Sequence, residues 1–340
     1  MSSSLHGFDP SVLAAYLRGA LPELAGEMRL QRIGGGQSNP TFFVAFDRGR
    51  ELVLRKQPPG ELLKSAHAID REYRVQLALR PTGIPVPPML LYCDDRDVIG
   101  TPFYVMERLY GRVMSDYALE GVDPNDRRAY LFELAETLAR LHALDWASIG
   151  LSDFGRPGNF FSRQIIRWSK QWHASKLHDS DDMNLLMEWL PSHVPAGDET
   201  TIAHGDYRLG NVMFHPTQPR IIAVLDWELS TLGHPLADAA YSSLPWSTDR
   251  DVFEGLRGLD LATAGLPTQS EYLAHYQRCS GRLPVQPFHI VFSLFRFAAI
   301  LEGISARVRS GNAAGDDAAE VGALAGRFAR YAVDIVRAEG

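Results

Sequence analysis

The segment HGDYRLGN, residues 204–211, sets His204, Asp206, Arg208 and Asn211 on one short stretch, and Asp226 follows at the end of the apolar run IIAVLD. Phosphoryl transfer from ATP calls for this combination. A carboxylate must orient the attacking hydroxyl and take its proton, and oxygen ligands must hold magnesium against the phosphates. Asp206 suits the first role. Asn211 and Asp226 suit the second, because Mg2+ is a hard ion that takes carboxylate and amide-carbonyl oxygens. His-x-Asp, four residues, Asn, and then an Asp after a strand is the kinase catalytic-loop pattern. Arg208, two residues beyond the proposed base, is placed to offset charge on the transferring phosphoryl group; a solvated loop cation is the plain alternative.

Such a site also needs an upstream element that grips the nucleotide. GGGQSNPTF lies between two strand-like segments, where glycines allow close backbone approach and Ser38 or backbone amides can meet phosphate oxygens. It lacks the full Gly-x-Gly-x-x-Gly pattern, so by itself it also reads as a glycine hairpin. In the next strand, LVLRK, Arg55 stands where a phosphate-binding lysine is expected, and Lys56 points to the opposite face; strand geometry favours Arg55 and leaves Lys56 as the alternative. Glu72, on the following helix, is the carboxylate that would pair with that cation. Met106, Glu107 and Leu109 belong to the connection after the last strand, whose backbone groups would read the adenine edge.

The elements that must position these residues change character along the chain. A helix is expected over DPSVLAAYLRGAL, with Asp9 as N-cap and Pro10 in the first turn. MRLQRI, TFFVAF, ELVLR, GIPVPPMLLYC and TPFYVMERL carry strand patterns, interrupted by a helix over 65–79 whose stripe is Ala66, Ile69, Tyr73 and Leu77. DDRDVIG reads as a turn. Beyond residue 109 helical patterns dominate, except for short strands at TIAHGD, NVMFH and RIIAVLDW. The expected division is 1–108, a nucleotide-binding lobe, and 109–340, a helical catalytic and substrate lobe. The segment FHIVFSLFRFAAILEGI, 288–304, is interrupted by His289, Arg296 and Glu302; it reads as a core helix too short to span a bilayer.

Composition narrows the partners. The 340 residues are 45% hydrophobic with a net charge of −7, which argues against nucleic acid or an anionic membrane as partner. Two cysteines, Cys93 and Cys279, give no disulfide framework and no Cys-x-x-Cys metal motif. MSSSLHGFDP lacks the basic segment and apolar run of a secretory signal, and a cytoplasmic location is expected. Oligomeric state is not legible.

HGDYRLGNVMF, AVLDWELSTLGHPLADAAY, GGGQSNPTF, LVLRKQPPG and REYRVQLAL together resemble the aminoglycoside phosphotransferase and choline kinase-like superfamily over nearly the whole chain. LRKQPPG and DWELSTLGHPLAD are most similar to the phosphotransferase-like domains found alone in bacteria or fused ahead of acyl-CoA dehydrogenase domains. The resemblance implies an α+β fold, bilobal and protein-kinase-like, with an antiparallel sheet in the N-terminal lobe and a mainly helical C-terminal lobe. It implies ATP- and Mg2+-dependent phosphorylation of a small-molecule hydroxyl, with Asp206 as base, Asn211 and Asp226 as metal ligands, and Asp238 as a buried anchor for the catalytic loop. The tail YAVDIVRAEG lacks the acidic face that a cationic aminoglycoside calls for, and Asp316, Asp317 and Glu320 lie at an expected helix start. Fusion to acyl-CoA dehydrogenases suggests a hydroxy acid or hydroxyacyl-CoA as acceptor. Arg163, Arg167, Lys170 and Lys176 are candidates to attract that anion. An aminoglycoside acceptor, or a non-catalytic binding module on a kinase fold, are the alternatives.

Other chemistries find no motif. Gly-Lys-Ser/Thr after a glycine loop, Gly-x-Ser-x-Gly and His-Glu-x-x-His are all absent. His142 and His204 are expected as hydrogen-bonded core residues.

Overall fold

The computed structural model describes residues 7–34, 39–60, 68–253, 255–310 and 318–339. The chain divides into two compact units, Met1–Gly111 with Ala223–Glu228, and Arg112–Ile222 with Leu229–Gly340.

The first unit opens with α1 (Pro10–Ala20), whose N-cap Asp9 accepts from the Ser11 N–H. Its five-stranded antiparallel sheet comprises β1 (Ala25–Arg32), β2 (Thr41–Arg48), β3 (Leu52–Lys56), β4 (Met89–Cys93) and β5 (Phe103–Glu107), in the order β1-β2-β3-β5-β4. Phe42 pairs with Leu54, Val44 with Leu52, and Leu54 with Val105. Side chains alternate across a strand, so this register gathers Phe42, Val44, Leu52, Leu54 and Val105 into one core with Leu13 and Leu17 of α1. The opposite face carries Arg55 and Tyr104, and α2 (Ile69–Leu79) packs there with Ile69 against Met89 and Tyr104.

Two expectations change here. The buried side of α2 is Ile69, Glu72, Val75, Gln76 and Leu79, whereas Leu77 is 44% exposed. Polar groups set the phase: Glu72 and Gln76 reach the Tyr104 hydroxyl, so an apolar count misjudges which face turns inward. Within the expected turn DDRDVIG, one helical turn, α3 (Arg96–Ile99), is capped by Asp95. Ala66 and Ser38 lie outside the described residues.

The second unit contains α4 (Pro124–His142), α5 (Phe160–Ser175) and α6 (Asp181–Ser192). Four short strands follow: β6 (Thr201–Ala203), β7 (Val212–Phe214), β8 (Ile221–Val224), whose last two residues belong to the first unit, and β9 (Thr231–Gly233). Then come α7 (Pro235–Ser242), α8 (Gln269–Ser280), α9 (Pro287–Arg309), α10 (Ala318–Gly322) and α11 (Ala325–Glu339). β6 pairs antiparallel with β9, and β7 is hydrogen-bonded to β8, so HGDYRLGN joins strands of two small sheets. β9, three residues without alternation, was not anticipated. α9 is longer than expected: at 23 residues it is long and apolar enough to cross a membrane by length and composition. Its Phe292, Phe295, Ala298 and Ala299 are instead buried in the core of this unit, with Phe160 and Ile165 of α5 and Phe328 and Ala332 of α11.

Candidate active site

In the first unit, pairing places Arg55 between Thr41 of β2 and Tyr104 of β5. Its Nε donates to Glu72 Oε2 at 2.8 Å, its Nη2 donates to Asp226 Oδ1 at 2.9 Å, and Glu228 lies 3.7 Å away. Glu72 is buried and also accepts from Asn39 Nδ2 at 2.5 Å and from the Tyr104 hydroxyl at 3.1 Å. Burial pushes the Glu72 carboxyl up to about 7, against the pull of the guanidinium. Burial also opposes the charge on Arg55, but Glu72 and Asp226 more than restore it. Lys56 sits on the other face of β3, buried, with its ammonium 5.7 Å from the Phe8 ring centroid. Of the two cations, Arg55 is therefore the one beside the carboxylates.

Asp226 follows β8 in the left-handed region, φ 59°, which few non-glycine residues adopt. The adjacent Trp227 indole donates to the Val224 carbonyl at 3.0 Å, and the Arg55 bond fixes the carboxylate. One guanidinium here faces three carboxylates, leaving negative charge that a cation would offset. At the end of β5, the Glu107 N–H donates to the Pro88 carbonyl and the Arg108 N–H to that of Glu51, both at 2.9 Å. Met106 and Leu109 are half-buried beside them. The Glu107 N–H is thus engaged within the unit, and any adenine contact by that residue falls to its carbonyl.

In the second unit, the loop after β6 is held by its backbone. Asp238, on the first turn of α7, accepts from the His204 N–H at 2.6 Å and from the Gly205 N–H at 3.0 Å. Burial opposes ionisation of Asp238, but His142, His204 and the Gly205 N–H hold it below the usual carboxylate range. His142 is buried, with Nδ1 2.7 Å from the Tyr276 hydroxyl and Nε2 3.4 Å from Asp238. Gly205 has φ 83°, and a Cβ there would lie 2.5 Å from the Leu229 carbonyl oxygen. The Arg296 guanidinium donates to the Gly205 carbonyl at 2.8 Å.

On this support Asp206 is clamped from two sides. Asn211 Nδ2 donates to Asp206 Oδ2 at 2.7 Å and to its carbonyl at 2.9 Å; the Tyr241 hydroxyl donates to Oδ1 at 2.6 Å. Burial, and then the neighbouring Asp206 charge, hold the Tyr241 phenol far above its ordinary value, so it remains a donor. Arg208 Nε lies 3.5 Å from Oδ1, and the Leu209 N–H donates to the Tyr117 hydroxyl at 3.0 Å. With the Asn211 amide nitrogen committed to Asp206, its carbonyl oxygen is the atom left for a cation. Within its own unit each of Asn211 and Asp226 thus presents a hard oxygen of the kind Mg2+ takes.

Residues 29–275 match the phosphotransferase enzyme family. The chain belongs to this family. A solved structure from Ralstonia eutropha JMP134, described as a "putative aminoglycoside phosphotransferase", is 42% identical, with 97% of this chain and 98% of that chain covered and a TM-score of 0.88. The mouse acyl-CoA dehydrogenase family member 10 is 41% identical over 333 residues, 96% of this chain, which spans only 31% of that relative's length. A thermostable mutant of aminoglycoside phosphotransferase APH(4)-Ia, in a ternary complex with AMP-PNP and hygromycin B, shares the fold at 17% identity. There the TM-score is 0.61, over 94% of this chain and 98% of the other. The α+β protein-kinase-like fold expected from the sequence is the fold of this phosphotransferase.

Several residues of these clusters carry no local signal in the sequence. Asn39, Tyr104 and Glu228 surround Arg55 and Glu72, and Tyr241 and Arg296 approach Asp206 and its loop. Tyr241 lies within the matching run HPLADAAY, three residues after Asp238. Its position one helical turn on could have flagged it.

Proposed function

We propose that this phosphotransferase is an ATP- and Mg2+-dependent kinase of a small-molecule hydroxyl, acting in the cytoplasm with neither nucleic acid nor membrane as partner. The observation that carries the reading is Asp206, a half-exposed carboxylate oriented by Asn211 and Tyr241 on a loop anchored by Asp238. Asp206 orients the acceptor hydroxyl and receives its proton as the acceptor oxygen bonds to the γ-phosphorus and the bond from that phosphorus to the departing ADP oxygen breaks. Arg55, fixed by Glu72, which Asn39 holds in turn, binds nucleotide phosphates, and Arg208 offsets charge on the transferring group. Asn211 and Asp226 would hold Mg2+, which neutralises the phosphates when bound.

For the acceptor we favour a hydroxy acid or its acyl-CoA thioester. Among the basic residues on and just after α5, Lys176 is taken by Asp179 and Arg163 donates to the Arg156 carbonyl. Arg167 remains near a second guanidinium, Arg296, and both lie over the Trp168 ring. Arg296 also lies 5.8 Å from the centroid of the Tyr241 ring, whose hydroxyl touches Asp206. Arg296, on the Gly205 carbonyl next to the base, with Arg167 near it, suits an anionic acceptor. The name of the Ralstonia relative keeps aminoglycosides as the competing class.

Mass spectrometry of ATP reactions against hydroxyacyl-CoA esters and hydroxy acids in one panel, and aminoglycosides in another, tests the assignment. A phosphorylated product is expected from the first panel. With that product, Asp206→Asn should keep nucleotide affinity and lose transfer by about 10²- to 10⁴-fold. A phosphorylated aminoglycoside alone would replace the acceptor class. No product from either panel, with Mg-ATP binding intact, would favour a binding module.

A further inference from the structure

The notable unassigned cluster lies on the pair of helices α4 and α8, in the second unit. His275 and Cys279 are four residues apart on α8 and so share one helical face. Glu136 projects from α4 toward them, with Oε1 2.7 Å from His275 Nε2. One ligand atom from each of Glu136, His275 and Cys279 lies within 4.8 Å of the other two. We propose that these three residues form a binding site for a zinc-class divalent transition-metal ion.

The donor set selects the class of ion. A thiolate, an imidazole and a carboxylate are the ligands that Zn2+ combines, at bond lengths of about 2.0–2.3 Å. Mg2+ and Ca2+ take oxygen alone. Tetrahedral coordination at those bond lengths sets donor atoms roughly 3.4–3.6 Å apart. The Glu136–His275 contact must open by less than 1 Å, and the thiol approaches by side-chain rotation. Three protein ligands leave the fourth position to water.

The site is also oriented in advance. Phe132, one turn before Glu136 on α4, stacks on the His275 ring at 4.1 Å between centroids and 4° between planes. That fixes the ring so that Nε2 faces the carboxylate. Arg278 Nη2 lies 3.3 Å from His275 Nδ1, which marks Nδ1 as the acceptor and Nε2 as the protonated nitrogen. On metal binding Nε2 becomes the ligand, the proton moves to Nδ1 and the exposed Arg278 side chain withdraws. Cys279 is exposed and Glu136 half-buried, so an ion enters without opening the core. Metal binding releases the thiol proton, so affinity increases with pH.

A bare ion pair between Glu136 and His275 would explain their contact but gives Cys279 no part, and the thiol is what the test reads. The full-length protein, stripped with chelator and reduced, is titrated with Co2+ and then Zn2+. One equivalent of Co2+ should produce tetrahedral absorption with a thiolate-to-metal charge-transfer band, discharged by Zn2+. Cys279→Ser should abolish that band and weaken Zn2+ binding by about tenfold or more, with Glu136→Gln and His275→Ala weakening it similarly. Because Cys279 is exposed, the serine variant should match the wild-type melting temperature without metal. Asp226→Ala should keep the band, which separates this site from the magnesium ligands. Co2+ binding without a charge-transfer band, or equal Zn2+ affinity in wild type and Cys279→Ser, would overturn the proposal.

Discussion

Arg55 shows how much one side chain can settle. Lysine is the expected phosphate-binding cation on this strand, yet a lysine ammonium is a point charge on a flexible stem, whereas the guanidinium presents several donors in a fixed fork. Arg55 uses that fork to meet Glu72 and Asp226 in two directions. Glu72 is buried, so removing its partner leaves an uncompensated carboxylate. Arg55→Met should cost roughly 3–5 kcal/mol in urea unfolding, and the double variant Arg55→Met/Glu72→Gln should recover a large part. A single variant as stable as wild type would show that the pair holds nothing together. These residues were individually legible because strand alternation and helix spacing bring Arg55 and Glu72 to one face. Asn39 and Tyr104 were not, since an asparagine beside a glycine stretch and a tyrosine in a sheet have many commoner uses.

At the scale of the element, the catalytic segment is a loop whose geometry is set from outside itself. The two N–H groups of His204 and Gly205 end on Asp238, and Gly205 occupies a left-handed conformation against the Leu229 carbonyl. Gly205→Ala should destabilise the protein by roughly 2 kcal/mol, from the left-handed backbone and the 2.5 Å approach together. Nucleotide binding should survive better than phosphoryl transfer, because Arg55 and Asp226 belong to other elements. Thermal melting and calorimetry with Mg-ATP measure the two effects; an alanine variant with wild-type melting would contradict the steric account. Spacing could nominate Asp206 and Asn211. That α7 delivers both the Asp238 anchor and, one turn later, Tyr241 depends on where that helix packs.

For the whole molecule, acid should be a weakness. His234 and His289 are buried, and burial lowers each to about 4 from an ordinary 6.5. Each Nδ1 accepts a backbone N–H, from Leu236 and Gln286 respectively, which only the neutral ring can do. Between pH 6.5 and 4 the unfolded chain therefore binds more protons than the folded one, and stability falls as pH falls through that window. The loss across that window is of the order of 3 kcal/mol per histidine. His289→Gln keeps a side-chain acceptor at the third position of α9 and does not titrate, so its stability should fall less steeply from pH 7 to 5 in urea unfolding. An unchanged slope would remove His289 from the explanation.

By itself the sequence determined the chemistry on offer and the class of fold. Asp206, Asn211 and Asp226 at their spacings, strands before residue 109 and helices after it, and the family resemblance are all local patterns, written in periods of two and 3.6 residues and in motif spacing. Tertiary structure decided what depends on residues far apart in the chain. It set which face of α2 is buried, because Glu72 and Gln76 answer polar partners on β3 and β5. It set the extent of α9, which runs beyond the core segment legible in the sequence, and the helices α5 and α11 that pack against it. And it brought Glu136 to His275 and Cys279, a juxtaposition that arises only when α4 and α8 pack together.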